Sequence, residues 1–114
     1  VTRRYLPTTL ALLAEDWAGD GPRVLDPVIA ADDAEETEYA ALMDAADVSA
    51  GLVADLPDGQ RRRVVVVAET ATADAPATWR DVVAVHVDSD DDADPDDDLA
   101  WWATQEVGDL LGLT

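Results

Sequence analysis

Arg61-Arg62-Arg63-Val64-Val65-Val66-Val67 sets three guanidinium groups directly before four consecutive β-branched side chains, and the fold turns on this stretch. Successive residues of a strand point to opposite faces, so a run with no polar member reads as a strand covered on both sides. Upstream, Leu56-Pro57-Asp58-Gly59 is turn chemistry that ends whatever precedes it. Before that turn the spacing predicts the longest helix, starting after Asp32 or Asp33. Asp33 and Glu36 have capping-box spacing, and Tyr39, Leu42, Met43, Ala46, Ala50 and Val53 form the apolar stripe.

Further toward the N-terminus, Arg3 to Leu6 reads as a strand stopped by Pro7. A helix over Thr9 to Ala18 follows, with Thr8 as its cap and Leu10, Leu13, Ala14 and Trp17 on one face. Arg23 to Ala30 reads as a strand that Pro27 confines to an edge. Downstream, Trp79 to Val87 alternates as a fourth strand, with Val83, Val85 and Val87 on one face and Val82, Ala84 and His86 on the other. At the tail, Asp94 is placed to cap a helix with Pro95 in its first turn and Asp96, Asp97 and Asp98 at the positive end of the dipole. Leu99, Trp102, Ala103, Val107 and Leu110 would be its buried stripe. The order is β-α-β-α-β-β-α. The expectation is an α+β, two-layer domain with a mixed four-stranded sheet and three helices, residues 1–114 forming a single domain and 88–95 an acidic loop within it.

Twenty-six acids oppose seven arginines and no lysine, a formal charge of -19. Such a surface repels nucleic-acid phosphates and anionic lipid, and attracts cations, basic protein patches or a high-salt solvent. The absence of lysine, asparagine and phenylalanine matches a GC-rich coding bias. The acid excess does not follow from that bias, which would raise arginine too. Without cysteine there is no disulfide, thiolate nucleophile or cysteine-ligated zinc. Arg3-Arg4 followed by Tyr5 to Ala14 faintly imitates a signal sequence, but Pro7, Thr8 and Thr9 interrupt the apolar run and Glu15 and Asp16 follow. No window approaches the ~20 apolar residues of a membrane span. The expected location is the cytoplasm.

Arg4-Tyr5-Leu6-Pro7, Glu36-Thr37-Glu38-Tyr39-Ala40-Ala41-Leu42, Arg62-Arg63-Val64-Val65, Val85-His86-Val87-Asp88 and Trp101-Trp102-Ala103-Thr104-Gln105-Glu106 resemble a family of short, acidic, uncharacterised actinobacterial proteins. The resemblance spans most of the chain. It implies a compact intracellular domain and supplies no activity.

Candidate site residues fall into three groups. Asp88, Asp90 and Asp92 alternate as calcium ligands do, yet an EF-hand register from Asp88 would put Ala93 at the glycine turn and Leu99 at the closing glutamate. The acidic loop is therefore expected to condense cations weakly. Glu38, Tyr39, His86 and Glu106 are the residues from which an acid/base pocket could be built, with Glu106 on or beside the last apolar stripe, where it either reaches solvent at the stripe's edge or pairs with a cation such as His86, Arg4 or Arg61 to Arg63. Trp101 and Trp102 lie about 100° apart on a helix, so one indole must leave the core. Trp101, together with Trp79 and Arg80, is the interface candidate, since tryptophan and arginine dominate hot spots. The arginine triplet could hold the chain's own acidic loop or an acidic partner.

With no phosphate loop, no nucleophile elbow and only Ser49 and Ser89 as serines, hydrolytic chemistry is disfavoured and no cofactor is indicated. The leading expectation is a non-enzymatic protein-interaction or assembly domain that uses the tryptophan-bearing C-terminal helix, with a protein partner or a homo-oligomer as its complex. The alternatives are a small enzyme or small-molecule binder with an acid/His pocket and, ranked lower, an acidic DNA mimic.

Overall fold

The computed structural model describes residues 1–113. Its strands are β1 (Thr2–Thr8), β2 (Val28–Ile29), β3 (Val64–Thr70), β4 (Val82–Val87) and β5 (Ala100–Trp102), and its helices are α1 (Leu10–Trp17), α2 (Glu35–Val53) and α3 (Val107–Leu110). The strands form one sheet in the order β2-β1-β3-β4-β5, and every pairing is antiparallel. The fold is α+β, but the expected mixed four-stranded sheet is corrected to five antiparallel strands. The arginine-valine stretch supplies the central strand, with Leu6 opposite Val66 on one side and Val85 opposite Val66 on the other.

Both faces of β3 are covered, as the unbroken valine run requires: Val64, Val65 and Val66 are fully buried and Val67 nearly so. Leu6, Val64, Val66, Val85 and Val87 pack with Leu13 of α1 and Val107 of α3 on one face. Tyr5, Val65, Val67 and Ala84 pack with Ala41, Ala45 and Ala46 of α2 on the other. The two-layer expectation is thus corrected too, because helices lie on both sides of the sheet.

α2 sits against the sheet through small residues. Ala41, Ala45, Ala46, Ser49 and Val53 are its buried positions, whereas Tyr39 of the expected stripe is half exposed. Close approach lets the buried Ser49 hydroxyl stand between two strands, donating to the Thr8 carbonyl at 2.7 Å and accepting the Val64 amide at 2.8 Å. The Asp33/Glu36 capping box does not form. Ala34 is the cap residue, and Asp32 accepts the Ala34 amide one turn earlier. At α1, Thr9 rather than Thr8 caps, accepting the Leu12 amide.

Three expected strands differ for local reasons. β1 is not stopped by Pro7 but runs on to Thr8, with Pro7 opposite Val65, because β2 pairs only with Arg4 and Tyr5 and so asks no ladder donor of Pro7. The Arg23 to Ala30 segment is extended in the sheet only at Val28–Ile29, since Asp26 takes a left-handed turn and Pro27 offers no ladder donor. In β4, Trp79–Asp81 is a 3-10 turn, and a bulge follows: Ala84 pairs with Val67 but Val82 pairs with Ala68, leaving Val83 unmatched. The bulge moves Val82 to the face of Val85 and Val87 and turns Val83 out, reversing the expected sides of these two valines.

The tail is the largest correction. Asp94 does start a turn, its carboxylate accepting the Asp96 amide and its carbonyl the Asp97 amide, but the turn is not propagated. The carbonyls of Asp94, Pro95 and Asp97 accept from the Arg63 guanidinium at 3.2, 3.1 and 2.9 Å. Carbonyls gathered on one cation cannot also line up along a helix axis. The chain instead extends as β5 beside β4, then makes a 3-10 turn over Thr104–Glu106 before the short α3.

Candidate functional site

Strand alternation now does what a helix was expected to do for the paired indoles. Trp102 turns to the α1 face and packs on its core, while Trp101 is 61% exposed. Trp101 lines a pocket of about 350 Å³ together with Arg3 and Tyr5 of β1, Glu38, Tyr39 and Leu42 of α2, and Val83 and His86 of β4. The pocket lies where α2, which packs mainly on β1, β3 and β2, leaves β4 beyond Ala84 and the exposed Trp101 of β5 less fully covered.

Three of the four acid/base candidates, Glu38, Tyr39 and His86, therefore share one pocket. Glu106 does not join them: it lies exposed after β5, with its carboxylate accepting the Ala103 amide at 2.9 Å. Arg4, a possible partner for Glu106, is buried on the opposite face and donates to the carbonyls of Ala73 and Ala75.

Charge in the pocket centres on Arg3. Its guanidinium meets Glu38 at 2.9 Å and Glu69 at 3.3 Å, so two carboxylates face one cation. Burial, and then the Glu38 charge, raise the pKa of the Tyr5 hydroxyl. Tyr39 donates to Asp98 at 2.6 Å, and that hydrogen bond raises the Tyr39 pKa. Burial holds His86 below the usual histidine value of 6.5. Among the described residues no hydrogen bond orients its ring.

His86 gives a pH prediction whose sign is fixed. A base with a depressed folded pKa binds its proton more readily when unfolded, so its neutral form favours the fold above pH 6.5 and that contribution is lost as pH falls through the folded value. Urea unfolding of the wild type and His86→Gln between pH 8 and pH 5 should show a constant difference above about pH 7 and a progressive gain for the variant below it. Parallel curves throughout would remove the argument.

The acidic loop is tied inward. Asp88 and Arg63 are 2% and 4% exposed and form a forked pair, Nε to Oδ2 at 2.7 Å and Nη2 to Oδ1 at 2.9 Å. Asp88 also accepts the Arg63 backbone amide. Asp92, in a left-handed turn, pairs with Arg61, whose hydrogen bonds hold the Asp92 carboxyl below the usual range. Asp91 accepts the amides of Gly59 and Arg61. Two of the three candidate ligands, Asp88 and Asp92, thus face guanidinium groups, and Asp90 is exposed. The described residues hold no cluster of three metal-ligating side chains.

Trp79 lies away from Trp101, on the α1 face, and Arg80 follows it in the same 3-10 turn. The Trp79 indole donates to the carbonyls of Asp16 and Gly19 and meets Trp17 edge-on at 4.8 Å, so it fastens the 3-10 turn to α1. Arg80 beside it is exposed. What the sequence did not reveal is the part played by Arg3, Tyr5 and Leu42 in the pocket. Arg3 and Tyr5 alternate with Arg4 and Leu6 along β1, and that period-2 pattern was the available signal.

Residues 2–96 match a family of unknown function, DUF6912. The chain belongs to that family. The matched segment carries Arg3, Tyr5, Glu38, Tyr39 and His86 of the pocket and the Arg63 and Asp88 pair, while Trp101 lies beyond it. No curated protein and no solved structure matches the chain. No helix among the described residues is long and apolar enough to cross a membrane.

Proposed function

We propose that the protein is a cytoplasmic, non-enzymatic interaction domain that docks a protein partner on the shelf between α2 and β5. The exposure of Trp101 carries this reading, because a large indole on an edge strand beside a pocket is the kind of anchor that dominates interface energetics. As the terminal strand of the sheet, β5 also offers the same shelf an edge with no strand partner among the described residues. The acid/His reading has the convergence of Glu38, Tyr39 and His86 in its favour. Against a catalytic use, Glu38 is taken up by Arg3 and His86 lacks an orienting bond among the described residues.

Trp101→Ala separates docking from folding. An exposed side chain contributes little to stability, so the unfolding free energy should change by no more than about 0.5 kcal/mol. Affinity capture with wild-type and Trp101→Ala baits at low and moderate salt should retain a protein on the wild type that the variant loses. Identical captures from both baits would end the docking reading, and light scattering on the purified chain would show whether the captured protein is a second copy.

A further inference from the structure

We propose that the pocket between α2 and β5 receives an arginine side chain presented by a basic segment of the partner, an inference that rests on the docking reading. The walls suit that group at both ends. Leu42, Val67 and Ala84 offer apolar surface for a methylene stem. Trp101 and Tyr39, both substantially exposed, offer aromatic surface on which a planar guanidinium stacks, and arginine is less strongly hydrated than lysine.

Charge selects the same ligand. Arg3 and Glu38 of the lining offset one another, and the excess comes from two carboxylates just outside it: Glu69, which also meets Arg3, and Asp98 at the Tyr39 hydroxyl. The local field is therefore negative, as is the field of a chain at -19. An anionic ligand would meet repulsion at both scales. A second copy would carry the same repulsion, though its exposed Arg80 could enter the pocket.

The test uses two peptides, each with one central residue flanked by glycine and serine: arginine in one, citrulline in the other. Citrulline keeps the shape and removes the charge. With the full chain at 0.15 M salt, followed by the indole N–H resonances, the arginine peptide should bind at least about 5-fold more tightly than the citrulline peptide. Trp101→Ala and Glu38→Gln should each weaken it by a similar factor, while Asp90→Asn, the same charge change on the acidic loop, should leave it within about 2-fold. Equal binding of the two peptides, no saturable shift, or equal losses from Glu38→Gln and Asp90→Asn would overturn the proposal. So would self-association abolished by Arg80→Ala, which would assign the pocket to a second copy. If capture of a partner still depends on Trp101 while the peptides fail to discriminate, docking stands and the arginine falls.

Discussion

Asp88→Asn is expected to lower stability by about 3–5 kcal/mol, because it leaves the buried Arg63 guanidinium without its counter-charge while preserving the shape of the side chain. For a domain of this size that corresponds to a fall in melting temperature of more than 10 °C, roughly. The loss should not be uniform. Arg63 holds the carbonyls of Asp94, Pro95 and Asp97, so the loop from Asp88 to Leu99 depends on it and should lose amide protection first. Leu99 is buried against the α2 side of the sheet, and β5 begins at the next residue. A loosened loop therefore releases the strand that carries Trp101.

A cycle with Arg63→Met sharpens the expectation. If the two side chains act as one unit, the double variant should lose less than the sum of the singles, since removing the second partner no longer strands a buried charge. It should still fall short of wild type, because three carbonyls would have lost their donor. Thermal and urea unfolding of the four proteins measures the coupling. Asp88→Asn melting within a degree or two of wild type would mean that the pair is incidental to the loop.

The same pair accounts for the departure of the tail from the helix that its capping residues predict, whereas the centre of the fold follows its local pattern. The valine run in β3 is legible because its cause is local: no polar residue interrupts it, and alternation alone places it between two layers. The length and position of α2 follow from its pattern, and its buried face does so in part: Ala46 and Val53 are buried and Leu42 and Met43 pack on the core, while Tyr39 is half exposed. Hydrophobicity ranks Tyr39 above Ala41 and Ser49, whereas close contact with the sheet selects the smaller residues. The tail satisfied helix-capping rules from Asp94 to Asp98, and a partner more than thirty residues away in sequence overrode them. Of the two roles open to the arginine triplet, the chain's own acidic loop or an acidic partner, Arg61 and Arg63 take the first, and the carbonyls gathered on Arg63 are the backbone that a tail helix would have needed. For the pocket, the acids and His86 were visible as residue types. Glu106 was set beside the wrong stripe because its helix does not form there.

Raising sodium chloride from 0.01 M to 1 M should stabilise the protein by a few kcal/mol, on the order of 10 °C in melting temperature. At the lower salt the screening length is about 30 Å, so charges across a molecule with a radius of gyration of 13.0 Å act on one another; at the higher salt it is about 3 Å and only neighbours interact. Unfolding spreads the same -19 charges over a larger volume, so screening relieves the folded state more. The opposing effect, weakened exposed pairs such as Arg61 with Asp58 and Asp92, is small because such pairs contribute little to begin with. Arg63 and Asp88 are shielded from salt by burial. Calcium chloride at matched ionic strength separates this field from binding at the acidic loop: general screening predicts superimposable curves, and a saturable excess with calcium predicts condensation on the exposed aspartates around Asp90. A melting temperature that falls with salt would show that local pairs, and not the summed negative field, govern the electrostatics of this chain.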